Sequence, residues 1–164
     1  MIVLTTLAAG VVLAAAIDLR TRRVPNPLTA TLAALGVAFA AFGISGLTVG
    51  ASLAGLVIGF AFMLPGHLFG ATGGGDVKLF AAAGALIGPL PIITAFFYTA
   101  LAGGVMALAI AARRGRLQRT LGRTAHLVAS GGSNAAVIEA PIENNRFPYA
   151  PAIAVGCVIA SLGL

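Results

Sequence analysis

The sequence has few charged residues, and this scarcity excludes most classes of soluble protein. Charged residues fill 9% of the 164 positions, whereas 59% are hydrophobic and the mean hydropathy is +1.04. A soluble domain carries roughly 25% charged residues and could not bury this much apolar surface. We therefore expect a lipid bilayer around the chain, whose length allows about six membrane spans and little else.

Cysteine and histidine are also scarce, which restricts the chemistry that the side chains can support. The single cysteine, Cys157, cannot form a disulfide within the chain, and no Cys-x-x-Cys pair is present to bind zinc. His67 and His126 lie far apart and show no helical His spacing. We therefore expect no metal site and no cofactor, and no Ser-His-Asp triad is evident.

Apolar runs separated by polar or Gly/Pro-rich breaks predict an all-α, polytopic bundle of about six transmembrane helices. The predicted spans are residues 2–17, 28–44, 47–69, 77–89, 91–112 and 148–163. The fourth is only about half a bilayer long at roughly 1.5 Å per residue. It could cross a thinned region, extend through the prolines at 89 and 91, or turn back as a re-entrant segment. Residues 1–17 lack a basic n-region, so we interpret them as a retained span rather than a cleaved signal.

The basic residues predict the orientation of these spans. If all six cross with the N-terminus outside, all ten lysines and arginines fall within 18–27, 65–78 and 113–147. Basic loops remain in the cytoplasm, so we predict that both termini lie outside and that residues 113–147 form a cytoplasmic basic loop. Its first half could be a helix on anionic lipid or an ordinary solvated loop. We predict one membrane-embedded domain, residues 1–164, with membrane lipids as partners and no nucleic acid.

Two of the four acidic residues, Asp18 and Asp76, stand where an apolar run meets a predicted cytoplasmic loop. An ionisable residue at such an edge is a functional candidate, and helix packing could bring the two together. Two carboxylates in contact share a proton, since both cannot ionise cheaply. One could then take a proton from water while the other protonates or polarises a peptide carbonyl. Such a reaction requires no metal and no covalent intermediate.

The surroundings of each acid also permit a purely structural explanation. Asp76 follows three glycines, which allow positive φ and a close approach of a substrate backbone. It should lie at or near the start of a helix, where a capping role alone would explain it. Asp18 precedes a basic stretch and could simply pair with Arg20 or Arg22. The occurrence of both motifs in one polytopic chain favours a functional pair.

At these residues the sequence resembles the type IV prepilin peptidases, membrane aspartic proteases of the Gly-x-Gly-Asp class. Residues 18–26 are similar to the first motif of that family, an Asp followed by basic residues and a Val-Pro-Asn turn. Residues 73–79 are similar to its second motif, Gly-x-Gly-Asp-x-Lys, and residues 147–154 resemble the stretch that opens its final span.

The resemblance implies that Asp18 and Asp76 are the catalytic residues of an aspartic endopeptidase. It further implies site-shaping or substrate-binding roles for Gly73, Gly75, Lys78, Arg23, Pro25 and Asn26. The implied substrate is a prepilin or pseudopilin, cut at the cytoplasmic face of the bacterial inner membrane. Its short basic leader stays inside, while its apolar helix lies in the bilayer.

The short connection after the first span distinguishes the chain from larger members of that family. Those carry a cytoplasmic insert, commonly zinc-binding, and also methylate the new pilin N-terminus. Here only residues 18–27 separate the first two spans. The compact form resembles the peptidase-only enzymes of Flp (Tad) pilus systems, so we expect no methyltransferase activity. A type II secretion pseudopilin or an archaeal-type substrate remains an alternative.

Two other classes of function remain open from the residues alone. A small proton- or ion-coupled transporter would also use intramembrane acids, although both acids here lie at one predicted face and no internal repeat is evident. A noncatalytic subunit of a secretion machine would tolerate Asp76→Asn, whereas a protease would not.

Overall fold

The computed structural model describes residues 1–70, 72–113 and 149–163, and all regular structure within these ranges is helical. The helices are α1 (Ile2–Thr21), α2 (Asn26–Ala41), α3 (Val49–Leu68), α4 (Gly74–Ile87), α5 (Pro89–Arg113) and α6 (Ala150–Ser161). The prediction of an all-α chain with about six helices is therefore confirmed. Apart from Arg113, the predicted basic loop 113–147 lies outside the described residues, as does His126.

Three helices are long and apolar enough to cross a bilayer: α1, α3 and the Pro89–Ile110 part of α5. Helices α2 and α6 are apolar but shorter, with 16 and 12 residues. Helix α4 has 14 residues, which corresponds to a length of roughly 21 Å at 1.5 Å per residue. These lengths and compositions are those of a membrane helix bundle.

Helix α4 lies at the centre of the bundle. It contacts every other helix in the described part of the chain, and ten of its 14 residues are buried. Its last residues reach the far end of the bundle, because Gly88 lies beside Leu47 in the connection between α2 and α3. The short fourth segment therefore runs from one end of the bundle to the other instead of turning back. Since other helices surround it, α4 does not need to match the thickness of a bilayer.

The helices alternate in direction, which brings specific termini together. Ser52 near the start of α3 donates a hydrogen bond of 2.7 Å to the carbonyl of Ala85 near the end of α4. His67 near the end of α3 lies beside Gly74 at the start of α4. The ends of α1 and α3 and the starts of α2, α4 and α6 thus share one end of the bundle, which we call the site end. This alternation fits six crossings, while the orientation of the termini stays a prediction.

Small residues allow α3 and α4 to pack backbone against backbone. A Cβ atom added at Gly55 would overlap the carbonyl of Gly84, and one added at Gly84 would overlap the carbonyl of Gly55. Glycine at such positions is the usual means by which membrane helices approach closely. This contact fixes the depth of α4 in the bundle and therefore the position of its first turn.

The helix bounds correct two details of the predicted spans. Helix α1 continues four residues beyond the predicted end at residue 17, because arginine favours a helix and nothing in 18–21 breaks one. It ends at Arg22, which adopts left-handed geometry (φ 54°) and donates its N–H to the carbonyl of Asp18 at 2.7 Å. The α1–α2 connection is therefore residues 22–25, and Asp18 belongs to the last turn of a helix.

Candidate active site

A polar cavity of about 250 Å³ lies at the site end of the bundle, and both candidate aspartates line it. Its walls combine the end of α1, the α1–α2 connection, the start of α2 and the glycine-rich start of α4. The lining residues are Asp18, Arg22, Arg23, Val24, Asn26, Gly73, Gly74, Gly75 and Asp76. Six of the eight residues predicted for the site meet here, and the other two, Pro25 and Lys78, adjoin Asn26 in the chain or by a hydrogen bond.

Asp18 reaches the cavity from the last turn of α1 and is only 5% exposed. Its Oδ2 accepts a hydrogen bond of 3.3 Å from the backbone N–H of Ala150, the first residue of α6. The unsatisfied N–H groups and the dipole at a helix N-terminus favour a carboxylate there. The final helix therefore orients Asp18, which gives the stretch 147–154 a role that the sequence had left unassigned.

Asp76 is the third residue of α4 and is 6% exposed. Its Oδ2 accepts the backbone N–H of Gly73 at 3.0 Å, which caps the start of the helix. Its Oδ1 is buried and has no hydrogen-bond partner among the described residues. An unpaired buried oxygen is costly, so this atom is suited to accept a hydrogen bond or a proton.

The pKa of Asp76, which precedes the predicted fourth span, is shifted to a value useful for acid catalysis. Burial raises this pKa from the ordinary 3.8 to about 6, and the hydrogen bond from Gly73 partly opposes the rise. The charge of Asp18 raises the pKa of Asp76 further. The two carboxyl groups therefore interact electrostatically.

The three glycines before Asp76 do not use the positive φ that the sequence allowed. None of them has positive φ, and Gly73 is extended with φ −76° and ψ 150°. Gly75 approaches Val24 closely. An added Cβ there would lie 3.0 Å from the Cβ of Val24 and 3.3 Å from its backbone N and O. Gly75 thus lets the α1–α2 connection pack against the start of α4.

Polar contacts join the two motifs at the edge of the cavity. Lys78 Nζ donates a hydrogen bond of 3.0 Å to Asn26 Oδ1, which connects the first turns of α4 and α2. Pro25 precedes α2 with φ −65° and ψ 133°, and its carbonyl accepts the N–H of Thr29 at 3.3 Å. Pro25, Asn26 and Lys78 therefore position the connection, while the exposed Arg23 contributes to the cavity wall.

The histidines, cysteine and acids of the described ranges do not form a group of three or more that could hold a metal ion. The single cysteine, Cys157, is fully buried in α6. The titratable acids that line the cavity are the two aspartates.

Comparison with known proteins gives two matches that agree with each other. The family model described as the type IV leader peptidase family matches residues 5–108. The chain is also 32% identical over 114 residues to the prepilin leader peptidase/N-methyltransferase of Bacillus subtilis (strain 168). That alignment covers 68% of this chain and 36% of the relative, so the chain spans about a third of the length of that protein. The comparison with solved structures gave no match. The matched residues 5–108 include both aspartates.

Proposed function

The chain belongs to the type IV leader peptidase family, and from that premise we propose that it is an aspartic endopeptidase with Asp18 and Asp76 as its catalytic residues. The observation that supports this most directly is that both carboxylates line one polar cavity, in which the charge of Asp18 raises the pKa of Asp76. A pair that only caps helices would not need to share one cavity.

The proposed reaction assigns different roles to the two carboxyl groups. Asp76 holds the shared proton, since its pKa is raised and its Oδ1 is available for a new hydrogen bond. Asp18 takes a proton from a water molecule, whose oxygen attacks the scissile carbonyl while Asp76 protonates the carbonyl oxygen. The tetrahedral species then collapses: Asp76 takes a proton back from a hydroxyl of the gem-diol as the carbonyl re-forms, the C–N bond breaks, and Asp18 gives its proton to the leaving nitrogen.

The proposed substrate is a Flp-like prepilin in the bacterial inner membrane, whose short basic leader is removed at the cytoplasmic face. The related Bacillus subtilis protein is by name a prepilin leader peptidase, and the cavity lies at one end of an apolar bundle rather than in its middle. A scissile bond that directly precedes a membrane-embedded helix would lie at the membrane surface, level with this end of the bundle.

We propose peptidase activity alone for this chain, without N-methyltransferase activity. The connection between α1 and α2 consists of residues 22–25, and Gly75 packs directly against it at Val24. This connection therefore contains no insert of the kind that larger members of the family carry.

The proposal is tested by co-expression with a Flp-type prepilin and analysis of the product by gel and mass spectrometry. We expect the wild type to shorten the prepilin at the leader junction and to leave an unmethylated N-terminus. Asp18→Asn and Asp76→Asn should each reduce cleavage by about a hundredfold or more, the usual contribution of general acid–base catalysis. Both variants keep the size of the side chain, so membrane abundance should be unchanged.

The matched control is Glu139→Gln, an acid-to-amide change in the predicted basic loop, which should retain activity. Cleavage that persists in either aspartate variant would refute the catalytic pair. A product that carries a methyl group in a cell without another such enzyme would refute the peptidase-only proposal.

A further inference from the structure

A second, apolar cavity of about 440 Å³ lies beside the candidate active site. It is a groove between α2 and α3, both of which pack closely on α4 but only loosely on each other. The floor is formed by two alanines of α4, and the walls by alanines of α2 and larger apolar side chains of α3. The apolar lining residues are Ala30, Ala33, Leu56, Phe60, Ala81 and Ala82, and the polar residues Asn26, Thr29 and Lys78 also line the groove.

The groove adjoins the polar cavity that contains the aspartates. Asn26 lines both cavities, and the hydrogen bond from Lys78 to Asn26 marks the boundary between them. The outer edge of the groove is open, since Ala30 and Phe60 are both exposed. A partner in the bilayer could therefore enter sideways and lie beside the cavity of the aspartates without passing through the bundle.

We propose that this groove binds the apolar transmembrane helix that follows the scissile bond of the substrate, an inference that rests on the proposed peptidase function. The alanines of the floor and of α2 allow the backbone of a second helix to approach closely, as small residues do between membrane helices. The apolar walls can contact the uncharged side chains of a transmembrane helix. The polar end of the groove, at Asn26 and Lys78, can contact the more polar residues where that helix begins.

The geometry also fixes the direction of the bound helix. Helices α2 and α4 both begin at the site end, since Asn26 pairs with Lys78 there and Gly36 lies against Ala85 at the far end. A substrate helix that starts beside Asn26 runs parallel to both. The extended residues that precede it then enter the cavity of Asp18 and Asp76, so cleavage falls just before the helix.

The first test is cysteine cross-linking between enzyme and full-length prepilin in membranes. The enzyme carries Cys157→Ala, which removes a buried thiol, together with Asp76→Asn to retain the substrate. Ala30→Cys places a thiol at the groove, and Ala100→Cys places one on the exposed surface of α5 as a matched control. Single cysteines are placed along the prepilin helix and oxidised, since a disulfide requires Cα atoms within about 7 Å.

We expect Ala30→Cys to capture the prepilin helix at positions three or four residues apart and Ala100→Cys to capture at least tenfold less. Equal capture at both positions would overturn the proposal, as would a cross-link of Ala30→Cys only to a second copy of this chain. The enzyme with Cys157→Ala alone should still cleave prepilin. If it does and Ala30→Cys captures no prepilin, the groove is a lipid-binding surface and the docking proposal is wrong. Failure of that parent enzyme to cleave prepilins would instead refute the proposed function.

A second measurement fills the groove and compares two substrates. Ala30→Phe should raise KM for the full-length prepilin about tenfold, whereas Ala100→Phe should leave KM unchanged. A soluble peptide that spans the leader junction but lacks the helix should be cut equally by wild type and Ala30→Phe. Unchanged KM for the full-length prepilin, or equal loss on both substrates, would contradict docking in the groove.

Discussion

At the scale of single residues, the cap that Asp76 provides is compatible with the catalytic role proposed for it. Its Oδ2 caps α4 through the N–H of Gly73, while its buried Oδ1 has no hydrogen-bond partner among the described residues. The cap holds the carboxyl group in one orientation, so the second oxygen is positioned before substrate arrives. A structural role for Asp76 is thus no evidence against a catalytic one.

The raised pKa of Asp76 predicts how activity depends on pH. If the shared proton is required, kcat/KM for prepilin cleavage should fall as pH rises through about 6, by roughly tenfold per unit beyond it. Because the folded-state pKa lies above the ordinary 3.8, the protonated form also stabilises the fold at low pH, and this contribution is lost as pH rises through about 6. The measurement is a pH profile of kcat/KM in detergent, and an increase between pH 6 and 8 would contradict the assignment.

The same shift can be measured without activity through carbodiimide labelling of Asp76, which requires the protonated acid. Labelling should decline with a midpoint near pH 6 in the wild type. In Asp18→Asn the midpoint should move to lower pH, because the neighbouring negative charge that raises the pKa is gone. An unchanged midpoint would mean that the two groups do not interact.

Gly75 and Gly74 form a matched pair for testing the packing of the two motifs. A methyl group at Gly75 would lie 3.0 Å from the Cβ of Val24, whereas at Gly74 the nearest atom is in the ring of His67 at 3.4 Å, an ordinary contact. Gly75→Ala should therefore displace the α1–α2 connection and reduce prepilin cleavage at least tenfold more than Gly74→Ala. Comparable cleavage rates for the two variants would show that the Val24 contact does not position the site.

At the scale of helices, the position of α4 depends on the backbone contact between Gly55 and Gly84. Gly55→Ala should lower the free energy of unfolding by about 1–3 kcal/mol, because the added methyl overlaps the carbonyl of Gly84. Gly104→Ala on α5 is the control, since an added Cβ there meets no atom within 4 Å. That change should be neutral or stabilising by up to about 1 kcal/mol. Thermal unfolding in detergent compares them, and equal midpoints would refute the packing argument.

The helix bounds show which features of the sequence predict an element and which do not. Hydropathy located all six helices, but it ended the first one at residue 17 because Asp18 and Arg20 are charged. Charge does not terminate a helix at the end of a span, and the helix stops only where Arg22 turns left-handed. Similarly, one alternative for the fourth span extended it through Pro89 and Pro91, whereas both prolines occupy the first turn of α5, where a missing N–H costs nothing.

At the scale of the whole molecule, the sequence predicted which residues line the candidate site better than it predicted the contacts that hold those residues in place. The paired motifs identified Asp18, Asp76 and four more residues that line one cavity. The N–H of Ala150 could not be anticipated, because a backbone donor 132 residues away has no side-chain signature. The contact of Gly75 with Val24 was also missed, since a glycine's partner depends on packing rather than on its neighbours in sequence.

The distribution of charge predicts the orientation of the whole bundle in the membrane. Cysteine substitutions at two exposed phenylalanines can measure this orientation. Phe42 follows α2 and Phe69 follows α3, so they lie at opposite ends, and they are 81% and 72% exposed. The positive-inside bias places Phe69, with the site end, in the cytoplasm and Phe42 outside. In a Cys157→Ala background, Phe42→Cys should react with an impermeant maleimide in cells whose inner membrane is intact. Phe69→Cys should react only after permeabilisation, and the reverse pattern would place the aspartates on the outer face, where a cytoplasmic leader could not reach them.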